Sequence, residues 1–235
     1  MTDEELLTRI ESAAAAVRSR VVDAGGDPDR VRLVAVTKGH PAEVVAAATE
    51  VGLCDVGESY VQELVAKANE LEFGVGLEGS DEPPAVRWHL IGGLQRNKVR
   101  QAAPLVSLWQ SVDRISLAAE IARWAPGAAV LVQVDVTQLE GRGGCAPERA
   151  PAVVEACRDL GLDVQGLMTI GPQGTSDTIR AGFRIVRDLA DRLQLTERSM
   201  GMSGDLEAAV AEGSTMIRVG TAIFGPRTGP RGVGK

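Results

Sequence analysis

V-R-L-V-A-V-T-K-G-H, residues 31–40, decides how the chain is to be read. Aliphatic and β-branched residues lead up to Thr37, a lysine follows, and Gly39 comes directly after it. A short apolar run of this kind, closed by glycine and then Pro41, predicts a buried parallel strand that turns into a helix. Lys38 then stands at the carboxyl end of the first strand, where the turn exposes a side chain above the sheet. An amine there has three readings: a solvated charge, an anion ligand, or a nucleophile that forms a Schiff base with a carbonyl.

Outward from this stretch the chain alternates. Strands are expected at 32–37, 53–57, 87–91, 107–112, 128–136, 164–170, 198–202 and 216–224. Helical patterns lie between them at 41–52, 60–71, 94–102, 114–124, 147–160, 177–193 and 206–212. One further amphipathic helix, 3–23, precedes the first strand, with Leu6, Ile10, Ala14, Val17 and Val21 at helical spacing. Asp3, Glu4 and Glu5 place negative charge at its amino end. Residues 73–85 are predicted to form a mobile loop, and 139–146 a glycine-rich one. Eight strands alternating with helices in 235 residues point to a closed (β/α)8 barrel with right-handed crossovers. No G-x-G-x-x-G follows the first strand and no G-x-x-x-x-G-K-[ST] occurs, so an open nucleotide-binding sheet lacks support. The expected organisation is one domain over 1–225 and a flexible tail over 226–235.

Composition narrows the function. Hydrophobic residues make up 44% and charged residues 24%, as in an ordinary globular protein. The net charge of −7 argues against nucleic acid or anionic membrane as a main partner. Cys54, Cys145 and Cys157 include no C-x-x-C pair, and they are expected to be reduced thiols of a cytoplasmic protein. With only His40 and His89, and no H-x-x-x-H, no metal site is expected. The acidic start M-T-D-E-E lacks the basic character of a signal peptide, and no apolar run approaches a membrane span.

In such a barrel the active site forms at the carboxyl ends of the strands, and phosphate commonly binds after strands seven and eight. Those ends carry Lys38, Gly57-Glu58, Met168, Met202-Ser203-Gly204, Arg218 and Gly220-Thr221. Ser203 and the neighbouring backbone amides, with Gly220-Thr221 expected inside an apolar strand, are candidates to cup a phosphate. Alternatively, Ser203 or Asp205 caps a helix and Gly220 relieves packing. Arg218 interrupts the buried M-I-R-V-G and needs a partner. It faces either a ligand or a carboxylate such as Asp135 or Glu207. Trp88 and His89 are expected as core or wall residues, and Glu58 and Asp113 as supports for Lys38 or helix caps. A lysine, an arginine and a phosphate cup on one face imply a ligand with both a phosphate and a carbonyl. Pyridoxal 5′-phosphate (PLP) has both.

The motifs L-V-A-V-T-K (33–38), V-G-E-S-Y-V-Q-E (56–63), W-H-L-I-G-G-L-Q-R-N-K (88–98), G-L-M-T-I (166–170), G-M-S-G-D-L-E-A-A-V (201–210) and G-S-T-M-I-R-V-G-T-A-I-F-G (213–225) carry a resemblance. From the first helix to Phe224 the chain resembles the pyridoxal phosphate homeostasis proteins, which share the fold of the alanine racemase N-terminal domain. The resemblance implies a modified TIM barrel with an extra N-terminal helix, the PLP fold type III. It implies that Lys38 carries PLP as a Schiff base, that Ser203, Gly220 and Thr221 bind the phosphate, and that Arg218 lies near the ring nitrogen. Met202, Gly204, Ser59 and Met168 are the further expected cofactor-binding residues. The implied role is cellular PLP homeostasis by a monomer that binds, buffers or delivers PLP to apo-enzymes, with no catalytic residue of its own. The alternative is a racemase or decarboxylase of the same fold. A third reading is a class I aldolase-like barrel whose lysine attacks a phosphosugar. The only tyrosine, Tyr60, is expected in a helix, and no second domain is expected to bring another acid–base group. Two positions depart from the family pattern: Ser59 stands where Asn is usual, and Arg142 where a Lys is usual.

Overall fold

The computed structural model describes residues 2–72, 86–137 and 142–226. The expected loop over 73–85 and nearly all of the expected tail lie outside them. Eight strands close a parallel barrel in sequence order. They are β1 (Arg32–Val36), β2 (Asp55–Glu58), β3 (Arg87–Leu90), β4 (Val106–Val112), β5 (Ala129–Gln133), β6 (Asp163–Met168), β7 (Glu197–Ser199) and β8 (Met216–Val219). Barrel closure sets Arg32 opposite Met216 and Ala35 opposite Val219.

The helices are α1 (Asp3–Asp23), α2 (Ala42–Glu50), α3 (Val61–Glu72), α4 (Val99–Ala102), α5 (Ile115–Trp124), α6 (Ala150–Asp159), α7 (Ser176–Arg192), α8 (Leu206–Ala211) and α9 (Thr221–Phe224). α1 is the helix that precedes the barrel. Thr2 and Glu5 form a reciprocal capping box at its start. Its stripe Leu6, Ile10, Ala14, Val17 and Val21 is buried, and it packs beside α2, α8 and α9. Near its end Arg20 pairs with Glu207 of α8 and donates to the Ser203 carbonyl at 2.9 Å. The extra helix therefore anchors the loop after β7. Among the described residues, no helix is long and apolar enough to cross a membrane.

Side chains two apart on a strand share a face, and this period sorts the barrel interior into layers. Val34, Leu108, Leu131, Met168 and Met216 pack together as one buried cluster. Two residues further along their strands, Val36, Gln133, Ile170 and Arg218 line a cavity at the carboxyl mouth. The aliphatic layer is thus the floor on which the cavity stands.

Three strand ends fall three or more residues short of the sequence expectation, and each difference shapes the mouth. β8 stops at Val219, and 221–224 is the single helical turn α9, not more strand. Gly220 (φ −117°, ψ −72°) leaves the ladder there, and Ile223 and Phe224 are buried. Phe224 meets His40 with ring centroids 5.6 Å apart. A short apolar run such as A-I-F has no period that separates strand from helix. β5 ends at Gln133, and Val134 forms an isolated bridge with Cys145. β7 is only Glu197–Ser199, so Met202-Ser203-Gly204 belongs to a loop.

Candidate functional site

A cavity of about 400 Å³ opens at the carboxyl ends of the strands, within the range that holds small ligands. Lys38 reaches it from the turn after β1, where Gly39 takes φ 74°, a conformation glycine adopts without strain. Ser59 comes from the end of β2, Met202, Ser203 and Gly204 from the loop after β7, Arg218 from β8, and Gly220 and Thr221 from the turn into α9. All line the cavity. Met168 does not: it is fully buried in the aliphatic layer beneath, and Ile170, one pleat higher, takes the wall position. Sequence reading also missed Gln133, whose amide donates to the Gly143 carbonyl at 2.8 Å. The signal was present as one polar residue inside A-A-V-L-V-Q-V. Val36, His40 and Ile91 also line the wall.

The backbone around Lys38 is clamped from α3. Lys67, 5% exposed, donates to the Thr37 carbonyl at 2.8 Å and to Glu58 at 2.5 Å. The Thr37 hydroxyl donates to the same Glu58 oxygen at 2.6 Å. One turn earlier on α3, Glu63 accepts the Gly39 amide at 3.0 Å. The residues on either side of Lys38 are therefore fixed by two α3 side chains at i and i+4. Burial pushes the Glu58 carboxyl above its ordinary range, against the pull of Lys67. Its Oε2 has no hydrogen-bond partner among the described residues. Asp113, the other expected support, pairs with Arg114.

Arg218 is 5% exposed. Its hydrogen bonds go to the Ser199 hydroxyl and the Thr169 carbonyl, both at 2.7 Å. Neither carboxylate considered from sequence is its partner. Asp135 accepts from Thr137, and Glu207 pairs with Arg20. Burial pushes the guanidinium down to about 10, with Asp205 opposing, so it stays cationic at neutral pH. The cavity thus holds a half-buried amine, a buried cation and the hydroxyls of Ser203 and Thr221. Ser203 Oγ accepts the Ala222 amide at 3.4 Å, which joins the two loops. A Cβ at Gly204 would meet nothing within 4 Å, leaving its backbone open to an approaching group. At Gly220 the close neighbour is backbone: a Cβ there would lie 2.9 Å from the Val36 carbonyl oxygen. That glycine permits the exit of β8 to pack on β1. A site with two cationic groups, hydroxyls and an open backbone cradle fits an anionic carbonyl compound of the size and chemistry of PLP.

At the opposite end of the barrel, Asp55 accepts from Arg87 and His89. Burial alone would raise its carboxyl, but the hydrogen bonds from His89 and Arg87, with the Arg87 charge, hold it well below the usual carboxylate range. A depressed folded-state value contributes stability above the unfolded value, near 3.9, and loses it as pH falls below that. Glu58 has the opposite sign, because its raised value favours folding as pH falls. Asp55→Asn should therefore lower stability at neutral pH and flatten the further loss below about pH 4. Urea unfolding across that range measures both effects.

A family model described as the alanine racemase N-terminal domain matches residues 10–228. The chain is 40% identical over 227 residues to the pyridoxal phosphate homeostasis protein of Pseudomonas aeruginosa, covering 93% of this chain and 94% of that one. It is similar to a solved structure of an unknown protein from Bifidobacterium adolescentis, with 36% identity, TM-score 0.84, and 95% and 98% of the two chains covered. It is also similar to the structure of PipY from Synechococcus elongatus with PLP bound. There the identity is 36%, the TM-score 0.77, and 92% and 99% of the two chains are covered.

Proposed function

The chain belongs to the pyridoxal phosphate homeostasis protein family, built on the alanine racemase N-terminal barrel, and on that premise we propose that it binds PLP for cellular cofactor homeostasis. The observation that carries this reading is the convergence of Lys38, Arg218, Ser203 and Thr221 on one cavity. PLP supplies an aldehyde that an amine captures as a Schiff base, and a phosphate that hydroxyls and backbone amides hold. Lys38 is the amine. Ser203, Gly204, Gly220 and Thr221 are assigned to the phosphate, with Ser59 and Met202 along the wall.

Arg218 is assigned to the ring nitrogen. A cation at that position opposes protonation of the nitrogen, so the ring withdraws electrons less strongly. That arrangement suits holding and releasing the cofactor better than carbanion chemistry. Tyr60 is 44% exposed and does not line the cavity, so it is not placed as a second acid–base group. Relatives are named as homeostasis proteins rather than as enzymes. We take the protein as a carrier in the cytoplasm, with PLP-requiring apo-enzymes as recipients.

The test is spectroscopic. The protein mixed with PLP should turn yellow, and borohydride should fix a pyridoxyl group on Lys38, located by peptide mass. A protein that stays colourless overturns the reading. Exchange of the α-hydrogen of a small amino acid in heavy water, lost in Lys38→Ala, would select the racemase or decarboxylase alternative.

A further inference from the structure

A barrel interior is normally filled by branched aliphatic side chains, yet a line of polar groups crosses this one. Arg218 donates to Ser199 Oγ at 2.7 Å, and Ser199 Oγ donates to Gln110 Oε1 at 2.7 Å. Gln110 Nε2 lies 2.7 Å from His89 Nδ1, and His89 Nε2 lies 3.0 Å from Asp55 Oδ1. Arg87 closes the far end on Asp55 with bonds of 3.0 and 2.6 Å. Ser199 and Gln110 are 0% exposed and His89 is 1% exposed. The line runs from the cavity at the carboxyl mouth to the partly exposed Arg87 at the start of β3.

Its direction is determined by the groups at its ends. Asp55, paired with Arg87, only accepts, so His89 carries its proton on Nε2 and presents Nδ1 as an acceptor. The Gln110 amide must then turn its NH₂ to His89 and its oxygen to Ser199. The Ser199 proton is thereby committed to Gln110, which leaves its lone pairs for Arg218. Every donor runs the same way, from guanidinium to carboxylate, and successive bonds of one direction polarise one another. An amide cannot pass a proton on, so the line orients groups rather than conducting protons.

We propose that Gln110, His89 and Asp55 are positioning residues for Arg218, acting through Ser199 to hold its guanidinium at one height and orientation on the cavity wall. Two of the five guanidinium N–H groups are tied down, by Ser199 and by the Thr169 carbonyl. The rest of the planar fork is thereby aimed without sampling other rotamers. The consequence for bound cofactor rests on the PLP reading above. The orientation of the line does not, and can be measured on the protein alone.

With two histidines in the chain, ¹⁵N-detected NMR at mildly alkaline pH reads the tautomer directly, and His40→Asn assigns the remaining signal to His89. The Nε2–H form is expected. An Nδ1–H form or a doubly protonated ring reverses the Gln110 amide and overturns the proposal, whether or not PLP binds. The second test is a double-mutant cycle on the PLP-loaded protein. Ser199→Ala and Gln110→Leu should each shift the absorption maximum of bound PLP and speed its release, Gln110→Leu by about tenfold, by analogy with supporting residues around metal ligands. In the Ser199→Ala background, Gln110→Leu should do neither, because the connection to Arg218 is already cut. A Gln110→Leu protein that melts lower but keeps the parent spectrum and release rate, or effects that simply add, would make the line structural only. If Gln110→Leu does not fold, Ser199→Ala and the His89 tautomer still decide. If unmodified protein shows no PLP band, the function reading fails and the tautomer result stands alone.

Discussion

Lys38→Ala is expected to abolish the visible band of the PLP-loaded protein and to weaken PLP binding at least a hundredfold, about 2.8 kcal/mol. The residue sits in a turn at the edge of the cavity, outside both hydrophobic clusters. Removing it should leave folding nearly intact, as for substitutions away from buried features. What disappears is the nucleophile. Lys38→Arg separates that role from charge: the guanidinium keeps a cation in the cavity but forms no Schiff base. Both variants should be colourless, while Lys38→Arg should retain more non-covalent PLP by equilibrium dialysis. A yellow Lys38→Ala protein would move the covalent site to another amine. Retention of the parent affinity by either variant would mean that the phosphate contacts alone hold the cofactor.

The barrel and the position of this lysine were legible because both rest on local patterns. Apolar runs closed by glycine mark strand ends, and strand ends in a closed barrel point to one mouth. Met168 shows where such reading stops. It marks the correct strand, but G-L-M-T-I carries two inward positions, Met168 and Ile170, and only register against neighbouring strands decides which reaches the cavity. The end of β8 was misread for a related reason. Ile223 and Phe224 are buried as α9 residues, and burial produces the same apolar letters in a strand or a helical turn. The polar line from Arg218 to Asp55 was beyond sequence altogether. Its members come from β2, β3, β4, β7 and β8, and Ser199 and Gln110 are 89 residues apart. The sequence called for a partner for Arg218, but pointed to carboxylates; a hydroxyl and a carbonyl satisfy the guanidinium instead. A fixed lattice of short neutral acceptors leaves no mark of charge pairing in the chain.

The largest effect on stability should come from Lys67, a residue that does not touch the cavity. Lys67→Ala leaves Glu58, 0% exposed, with an uncompensated carboxylate and removes the donor to the Thr37 carbonyl. Breaking one side of a buried ion pair costs about 3–5 kcal/mol. For a chain of this size that lowers the melting temperature by roughly 6–20 °C. The loss should be smaller at acidic pH, where the raised Glu58 carboxyl takes up a proton and no longer needs a cation. Replacing both members, Glu58→Leu with Lys67→Met, should recover most of the stability, since apolar groups of similar volume often match a buried pair. Recovery of the fold would not restore the clamp. The Thr37 carbonyl would still lack its Lys67 bond, while the Gly39 amide would keep Glu63. The backbone beside Lys38 would then keep one of its two α3 side-chain contacts. The double variant should therefore fold like the parent yet release PLP faster, a separation that calorimetry and stopped-flow transfer of PLP to an apo-enzyme would show. Parent release kinetics in the double variant would assign Lys67 to the core alone. Faster release at parent stability would mean that the geometry of Lys38 is set from the second turn of α3.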